Sequence, residues 1–248
     1  MKAMVLAAGL GTRLRPLTND RPKALVEVAG RTMLEITLER LRANGVHEAI
    51  VNVHHYAEMI CAYLKAHDNF GMRIEISREE VLLDTGGGLK KAAWFFREDG
   101  ADGASPFLLH NVDVISTIDF VAMLRFHQEQ GALATLAVQQ RATSRPLLFD
   151  AQDRLCGRRL VGEEETEWVR QVETAQELAF AGIHVLSLQI FDELTENGVF
   201  SIIPAYMRLA RAREKIVAFR VDRYKWRDLG RPEQVAEAEG EMDVFRQT

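Results

Sequence analysis

Positively charged residues follow a glycine-rich turn near the start of the sequence. The chain begins MKAMVLAAGLGTRLRPLTNDRPKALVEVAG, which places Arg13, Arg15 and Lys23 just after Gly9 and Gly11. Glycine permits positive φ angles and a close approach of the backbone, so several N–H groups can point at one anion. Because guanidinium and ammonium groups bind phosphate oxygens strongly, this composition is typical of a site for a triphosphate.

Other kinds of glycine-rich segment fit this turn less well. A dinucleotide-binding fingerprint needs a third glycine where Leu14 stands, and VNVHH supplies no carboxylate for a ribose. The Gly-Lys-Ser/Thr of a Walker loop is absent. A secretory signal is not expected, because the apolar run 3–8 is short and two arginines follow it. A surface salt bridge explains Arg15 as well as ligand binding does, whereas Arg13 and Lys23 are interpreted as functional.

One carboxylate stands out as a counterpart to these cations. Asp113 follows the apolar segment PFLLH, and an unpaired carboxylate at the end of a buried strand is costly without a cation. Asp119 is interpreted as a helix N-cap, and Asp150 and Asp153 as turn residues. The histidines show no metal-ligand spacing, and His110 is a candidate for contact with substrate.

Short apolar segments alternate with helical patterns in the first half of the chain. Strands are predicted at AMVLAA, EAIVNV, MRIEIS and PFLLH, and helices near 32–44, over YAEMICAYLKA and from TGGG onward. This alternation predicts right-handed βαβ units and a parallel sheet covered on both faces. Since ligands bind beyond the carboxyl ends of such strands, the glycine turn lies where a site is expected.

The second half is richer in strand patterns. Segments such as ALATLAVQQ, LAFAGIHVL and KIVAFRV follow Gly131, with a helix near 202–213 and another from Pro232 onward. These patterns favour a mixed, mostly parallel sheet with a small β-rich insertion over a second independent domain. The fold class is therefore predicted to be α/β.

Composition argues against several classes of partner. The 248 residues include 31 Lys and Arg and 36 Asp and Glu, a net charge of −5, so neither nucleic acid nor an anionic membrane is expected to bind. No apolar run approaches the ~20 residues of a membrane-spanning helix. Cys61 and Cys156 lie far apart, which favours a reduced, cytoplasmic protein without disulfides.

The turn and the Pro-Lys after it resemble the signature of the sugar-1-phosphate nucleotidyltransferases. In this chain the signature reads GLGTRLRPLT and RPKALVEVAG. The resemblance implies a Rossmann-like three-layer α/β/α sandwich, the GT-A-like nucleotidyltransferase fold. It also implies that the backbone of the turn holds the base and phosphates of a nucleoside triphosphate, at Ala8, Gly9, Gly11 and Thr12. Arg13 and Lys23 would bind the phosphates.

Further motifs of this family follow in the family's order. LLDTGGG resembles the segment that lines the base, which points to Gly87. HNVD and YKWRDLGRPEQ resemble the two motifs that supply metal-binding aspartates, so Asp113 and Asp228 would hold Mg²⁺. AFAGIHVL resembles a sugar-contacting strand. The expected residues at the sugar phosphate are Asn111, Gly182, Arg145 and Trp226.

The chain also departs from the family pattern. Val112 stands where many members have glycine, which is expected to narrow the space beside Asp113. The EKP motif, whose lysine commonly binds the phosphate of the sugar, is missing. Arg145 is one candidate to replace that lysine, and Arg158 and Arg159 are two others.

The resemblance implies Mg²⁺-dependent transfer of a nucleotidyl group from a nucleoside triphosphate to a sugar 1-phosphate, with release of pyrophosphate. Arg13, Lys23 and Asp113 are the expected catalytic residues. The short chain, TGGG and the missing EKP resemble the group that includes N-acetylmuramate-1-phosphate uridylyltransferase, and also relatives that use mannose or heptose 1-phosphate with GTP. UTP is the preferred prediction. An inactive nucleotide-sugar binding module and a dehydrogenase are the alternatives of other classes.

These expectations define the organisation of the chain. One nucleotidyltransferase domain is predicted over 1–248, as a monomer or a homodimer. Within it, about 1–115 would bind the nucleotide, about 116–230 would bind the sugar phosphate, and 232–246 would form a C-terminal helix.

Overall fold

The structure is a computed structural model that describes residues 1–98, 105–159 and 166–246. Its strands are β1 (Lys2–Leu6), β2 (Glu27–Val28), β3 (Arg31–Thr32), β4 (Glu48–Val53), β5 (Arg73–Arg78), β6 (Phe107–Asn111), β7 (Val114–Ser116), β8 (Ala134–Gln139), β9 (Leu147–Phe149), β10 (Leu155–Arg159), β11 (Thr166–Trp168), β12 (Gln176–Leu186), β13 (Ile216–Arg220) and β14 (Trp226–Asp228). Its helices are α1 (Met33–Ala43), α2 (Ala57–Ala66), α3 (Asp84–Lys91), α4 (Ala93–Arg97), α5 (Phe120–Gln130), α6 (Ile190–Glu193), α7 (Ile202–Arg211), α8 (Pro232–Glu239) and α9 (Met242–Arg246). No helix within these described ranges is long and apolar enough to cross a membrane.

Four parallel strands form the half of the sheet that carries the glycine turn. They lie in the order β5-β4-β1-β6, and Leu6 at the end of β1 pairs with Asn52 on one side and Asn111 on the other. Strands β1, β4 and β6 are buried along nearly their whole length, as expected where helices cover both faces. Their carboxyl ends meet at one edge, where the turn begins.

The rest of the sheet is organised around the long strand β12. It runs antiparallel to β6 on one side and to β8 on the other, and β13 pairs in parallel with β8. The first residues of β12 pair instead with β9, which continues into an antiparallel extension with β10 and β11. The predicted mixed, mostly parallel sheet with a small β-rich insertion is therefore confirmed.

Helices cover both faces of the sheet and bury two separate apolar clusters. One cluster joins the sheet to α1, α2, α5 and α8 and includes Leu38 and Met123. The other joins it to α3, α4 and α7 and includes Phe95 and Leu209. An amphipathic helix must bury its apolar stripe, and a sheet with two apolar faces accepts such helices on both sides. The predicted three-layer α/β/α architecture is confirmed.

Side-chain caps begin helices α1 and α5. Thr32 Oγ1 accepts a hydrogen bond from Glu35 N at the start of α1 (3.0 Å), and Asp119 Oδ1 accepts one from Ala122 N at the start of α5 (2.8 Å). Each cap satisfies a backbone donor that the first helical turn leaves unpaired. The interpretation of Asp119 as an N-cap is therefore confirmed.

The sequence patterns miss two short antiparallel pairs, β2 with β3 and β7 with β14. Strand β7 begins directly after Asp113, and its Val114 pairs with Asp228 of β14. The helix expected over 232–246 is divided into α8 and α9, with Gly240 at the end of α8. The pair β7–β14 matters for function because it connects the two predicted metal ligands.

Candidate active site

The turn after β1 adopts a conformation that requires glycine at position 11. Gly11 has a φ of +64°, and a Cβ atom there would lie 3.0 Å from Thr18 Cγ2 and 3.1 Å from Lys23 Cβ. The Thr18 hydroxyl donates to the Gly11 carbonyl at 2.8 Å. The backbone N–H groups of residues 9–12 donate to none of the other described residues, so they are free to bind an anion.

An ion pair between Lys23 and Asp113 lies beside this turn. Lys23 Nζ is 2.9 Å from Asp113 Oδ2, and the two side chains are 16% and 12% exposed. Burial on its own would raise the pKa of Asp113, but the ion pair with Lys23 and the charge of Arg13 together bring it below its usual range. A Cβ atom on Gly9 would lie 3.6 Å from Lys23 Nζ, so the ammonium group touches the turn. Asp113 is therefore a carboxylate anion at neutral pH, next to the free N–H groups.

The pairing of β7 with β14 brings Asp228 next to Asp113. Val114, which follows Asp113, pairs with Asp228, and Leu229 N donates to the Asp113 carbonyl at 2.7 Å. The Asp228 carboxylate is oriented by Gly230 N, which donates to its Oδ1 at 2.7 Å. The two predicted metal ligands thus lie at one place, although the metal role itself is a prediction.

Arg13 reaches this pair of carboxylates from the glycine turn. A Cβ atom on Gly230 would lie 2.8 Å from Asp228 Oδ1 and 3.3 Å from Arg13 Nη2, so the guanidinium and the carboxylate approach each other across a glycine. Arg13 forms no ion pair with another described residue. Its charge is therefore available for a phosphate as well as for Asp113 and Asp228.

Three of the residues predicted at the sugar phosphate surround this centre. Gly182 has a φ of +77°, and a Cβ atom there would lie 2.8 Å from Val114 Cγ2 and 3.0 Å from Asn111 Nδ2. Trp226 precedes Asp228 by two residues, and its indole Nε1 donates to the Ala181 carbonyl at 2.8 Å. Gly182 is thus required for packing against β7 and Asn111, and contact with a sugar remains a prediction.

Arg141 is a candidate that sequence reasoning missed. Its guanidinium stacks on the Trp226 ring, 4.4 Å from the centroid, and donates to the Phe180 carbonyl at 3.0 Å. Partial burial lowers the pKa of Arg141, and the charge of Asp228 opposes that effect, which places the guanidinium within the field of this carboxylate. Arg141 and Arg145 both follow closely after β8 in the sequence, and the sequence prediction named Arg145.

Arg145 lines a cavity of about 530 Å³, whose walls also include Arg158, Arg159 and Phe180. Arg158 is paired with Glu167 and Arg159 with Glu177, at 2.7 and 2.6 Å. Arg145 forms no ion pair within the described part of the chain. The three arginines proposed as substitutes for the missing lysine therefore share one cavity, and Arg145 alone among them is unpaired.

Gly87 occupies a crowded position at the start of α3. A Cβ atom on it would lie 2.4 Å from the Gly198 carbonyl, and the N–H groups of Gly86 and Gly87 donate to the Phe200 carbonyl at 3.0 and 3.1 Å. The glycines of TGGG thus have a packing role, and a contact of Gly87 with the base stays a prediction.

A buried polar network that the sequence did not reveal connects α3 with the turn. Asn52 Oδ1 accepts from Ala7 N at 2.7 Å, and Asn52 Nδ2 donates to Glu79 Oε1 at 2.8 Å. Glu79 Oε2 accepts from Leu83 N at 2.9 Å, just before α3 begins. Asn52 is the next-to-last residue of β4, and Glu79 directly follows β5. The signal for these residues is therefore a polar side chain at the carboxyl edge of the sheet among buried neighbours.

Three other expectations have structural outcomes. Arg15 is exposed and forms no ion pair with the described residues, so the surface salt bridge considered for it is not seen. Val112 packs in the apolar core, and its side chain is buried there instead of lying in the site. Burial lowers the pKa of His110 to about 4, and its Nδ1 donates to the Asn111 carbonyl at 2.8 Å, so this histidine is neutral and enclosed.

Comparisons with known proteins identify the family of this chain. The family model described as nucleotidyl transferase matches residues 2–148. N-acetylmuramate alpha-1-phosphate uridylyltransferase of Caulobacter vibrioides is 37% identical over 217 residues, which cover 84% of each chain. Mannose-1-phosphate guanyltransferase of Gibberella zeae is 33% identical over 195 residues, which are 78% of this chain and 51% of that protein.

A solved structure supports the same fold. UDP-glucose pyrophosphorylase complexed with UDP-glucose superposes with a TM-score of 0.75 over 98% of both chains, at 19% identity. At this identity the superposition establishes the fold alone, whereas the family match over residues 2–148 includes the turn and Asp113. The resemblance to sugar-1-phosphate nucleotidyltransferases is therefore confirmed, and the chain belongs to the nucleotidyl transferase family of enzymes.

Proposed function

We propose that this enzyme transfers a uridylyl group from UTP to a sugar 1-phosphate, giving a UDP-sugar and pyrophosphate. The observation that carries the proposal is the buried Lys23–Asp113 pair beside the free N–H groups of the turn, with Arg13 and Asp228 next to it. Both reactants are anions, so a site that combines cations with a carboxylate pair suits their reaction.

The choice of nucleotide rests on the relatives. The Caulobacter protein, similar over 84% of each chain, is named a uridylyltransferase, which favours UTP. The Gibberella guanyltransferase is matched over only 51% of its length. Its similarity still supports a second candidate, transfer from GTP to mannose or heptose 1-phosphate.

The reaction is a single in-line displacement at the α-phosphorus. A bond forms between this phosphorus and an oxygen of the sugar phosphate as the bond to the bridging oxygen breaks, and pyrophosphate leaves with the electron pair. The chain needs no covalent nucleophile for this step. The turn would hold the nucleotide through its N–H groups at Ala8, Gly9, Gly11 and Thr12, while Arg13 and Lys23 stabilise the charge on the transferring and departing phosphates.

Asp113 and Asp228 are the residues that would hold Mg²⁺. Their fit follows from the donor set: two neighbouring carboxylates, with no third acidic, histidine or cysteine ligand grouped with them among the described residues. Mg²⁺ is commonly bound through one or two carboxylates, with substrate phosphates and water completing its shell. When bound, the ion would supply positive charge to the α-phosphate and the sugar phosphate.

The sugar phosphate is assigned to the side of the site formed by Asn111, Gly182 and Trp226. Arg141 stacks on Trp226 within the field of Asp228. It is therefore better placed than Arg145 to bind the phosphate of the sugar and so to replace the missing lysine. A guanidinium fixed by stacking loses little freedom when it binds a phosphate.

Arg145 then suits a second charged group on the substrate. It is unpaired among the described residues and lies in the cavity beside Phe180, whose carbonyl binds Arg141. An acidic sugar such as N-acetylmuramate carries a carboxylate in addition to its phosphate, and arginine binds carboxylates through two hydrogen bonds. A cell-wall precursor of this kind is consequently the preferred substrate class.

The test is pyrophosphate release with UTP, GTP, CTP and dTTP, each combined with the 1-phosphates of N-acetylmuramate, N-acetylglucosamine and mannose, with and without Mg²⁺. The highest kcat/KM is expected for UTP with N-acetylmuramate 1-phosphate, and chelation of Mg²⁺ is expected to abolish it. Highest activity with GTP and mannose 1-phosphate would favour the guanylyl candidate. Nucleotide binding without turnover on any pair would favour a binding module.

The N-acetylglucosamine substrate is the matched control for Arg145, because it lacks the carboxylate. Arg145→Gln should lower kcat/KM for N-acetylmuramate 1-phosphate by about tenfold or more, through loss of a charge-assisted contact, and leave N-acetylglucosamine 1-phosphate nearly unchanged. An equal effect on both substrates would contradict the assignment.

Because nucleoside triphosphates are made in the cytoplasm, we place the enzyme there, as a monomer or homodimer.

A further inference from the structure

A buried series of hydrogen bonds connects the glycine turn with α3, and its polarity is fixed at both ends. At one end the backbone N–H of Ala7, which precedes Ala8 of the turn, donates to Asn52 Oδ1. At the other end the N–H of Leu83, the residue directly before α3, donates to Glu79 Oε2. Because a backbone N–H can only donate, the two side chains between these ends must each accept a hydrogen bond from the backbone.

The side chain at position 79 must supply two acceptors. Asn52 uses its one side-chain oxygen for Ala7 N, so its Nδ2 donates to Glu79 Oε1 at 2.8 Å. Each carboxylate oxygen of Glu79 thus faces an N–H donor, and a side-chain amide, which has one oxygen, would leave one donor facing another. Asn52 and Glu79 are both 3% exposed, so water has little access to a donor left unpaired here.

The backbone of α3 lies directly against these two side chains. A Cβ atom on Gly88 would lie 2.7 Å from Glu79 Oε1 and 2.9 Å from Asn52 Nδ2, and both distances are shorter than van der Waals contact. Glycine at position 88 therefore lets the helix approach the two side chains closely. The hydrogen bonds thus set the position of α3 relative to Ala7 and the turn.

The two elements that are joined in this way carry residues assigned above to the nucleotide. Ala8 and Gly9 directly follow Ala7, and Gly87 lies in α3 beside Gly88. A ligand that contacts both elements depends on the spacing between them, because a site that is already held in its binding geometry loses less freedom when the ligand binds. A change of this spacing would therefore lower the affinity for the nucleotide.

We propose that Asn52 and Glu79 are positioning residues for the nucleotide, on which they act through the glycine turn and α3 and not by contact. The inference rests on the proposed function, since it requires that these two elements hold a nucleoside triphosphate. Binding of the sugar 1-phosphate should change little when the pair is altered, because its assigned residues lie on β6, β12 and β14.

The test reverses the direction of the hydrogen bond between positions 52 and 79. Glu79→Gln places an amide nitrogen against a donor, and Asn52→Asp places two carboxylates against each other, so each single change breaks a hydrogen bond. In Asn52→Asp/Glu79→Gln the new amide nitrogen donates to the new carboxylate, and the N–H groups of Ala7 and Leu83 keep their acceptors. The double variant therefore restores every hydrogen bond of the series, with the net charge of the wild type.

Calorimetric titration with UTP and, in parallel, with GTP measures the affinity in the presence of Mg²⁺ and without sugar 1-phosphate. Each single variant should raise the Kd of the nucleotide that the wild type binds more tightly by about tenfold, and the double variant should return it to within about threefold of the wild-type value. The KM for the sugar 1-phosphate should stay nearly unchanged in all of them. His127→Gln is the control, because His127 is also buried and bonded to Thr135 and Ser187, so its loss should lower the melting temperature and leave the Kd unchanged.

Two results with folded single variants would overturn the inference. Wild-type Kd values combined with lowered melting temperatures would show that the pair serves the fold alone. Weak binding by both Glu79→Gln and the double variant, with normal binding by Asn52→Asp, would show that Glu79 contacts the nucleotide itself.

The double variant keeps the inference testable if a single variant does not fold. Its Kd should then lie within about threefold of the wild-type value, and a tenfold rise would refute the inference. A wild type that binds neither UTP nor GTP would refute the proposed function together with this inference, whereas each of the other results leaves the proposed function intact.

Discussion

Lys23 and Asp113 form a buried ion pair. We therefore expect that replacing one of them lowers the free energy of unfolding more than replacing both. At 2.9 Å and an effective dielectric constant of ~20, the attraction between the charges is about 6 kcal/mol before desolvation is counted. Breaking a buried pair typically costs ~3–5 kcal/mol, because the remaining charge is left without a partner. Since both side chains retain slight exposure, 16% and 12%, the lower end of that range applies. We expect Lys23→Met to lower the free energy of unfolding by about 3 kcal/mol.

The other variants complete a double-mutant cycle. Asp113→Asn should cost less than Lys23→Met, because a flexible ammonium group can turn toward solvent more easily than Asp113 can. The double variant Lys23→Met/Asp113→Asn should recover about 2 kcal/mol relative to the sum of the single changes. Urea denaturation at pH 7 without Mg²⁺ measures all four proteins. Glu58→Gln is the control, because it breaks a fully exposed ion pair with Arg78 and should leave the free energy of unfolding nearly unchanged.

An assay of pyrophosphate release distinguishes the role of this pair in folding stability from its role in catalysis. If Lys23 and Asp113 also act on the phosphates, the double variant regains folding stability but stays inactive in pyrophosphate release, with kcat/KM reduced by ~10³ or more. A coupling free energy below about 0.5 kcal/mol would refute the buried ion pair as an energetic unit. A double variant with near wild-type turnover would refute the catalytic roles even if the coupling is large.

Three further predictions concern positions around the site and in the core. Gly182→Ala should lower the free energy of unfolding, measured by urea denaturation, by about 1–3 kcal/mol, because φ is +77° and the new Cβ would lie 2.8 Å from Val114 Cγ2. Gly198→Ala is the control, because Gly198 has a φ of +71° but no atom within 4 Å of a new Cβ, so its cost comes from the backbone alone. Arg141→Gln should raise KM for the sugar 1-phosphate about tenfold in steady-state assays and leave KM for UTP nearly unchanged, and the reverse pattern would contradict its assignment. Burial lowers the pKa of His127 from 6.5 to about 4, so the unfolded chain binds the proton more tightly and stability is lost as pH falls from about 6.5 toward 4. Between pH 8 and pH 5 the wild type should therefore lose about 2 kcal/mol more than His127→Gln, and parallel urea titrations with equal losses would refute this origin.

The sequence predicts those parts of the fold that depend on local patterns. The parallel strands β1, β4 and β6 each contain a run of three or more apolar residues. Helix α1 is bounded by Thr32 and Asn44 in both sequence and structure. The glycine turn is predictable because its composition and its place after β1 agree. By contrast, the hydrogen bonds from Asn52 to Ala7 and Glu79 join residues from separate βαβ units. No local pattern in the sequence reports such a contact.

The same limit explains why Arg141 escapes prediction. Residues 141 and 145 have the same local context, and the stacking of Arg141 on Trp226 depends on where the chain returns after β13.

The short pair β7–β14 accounts for more of the site than its length suggests. Three residues on each strand place Asp228 opposite Val114, and the backbone of Leu229 donates to Asp113 itself. The Asp113 side chain is fixed from the other direction by Lys23, which lies on the segment that closes the glycine turn. The position of Asp228 therefore depends on a strand pairing, whereas that of Asp113 depends on an ion pair as well. A change that loosens β7–β14 should accordingly displace Asp228 first, and it should impair turnover before it impairs the binding of nucleotide by the turn.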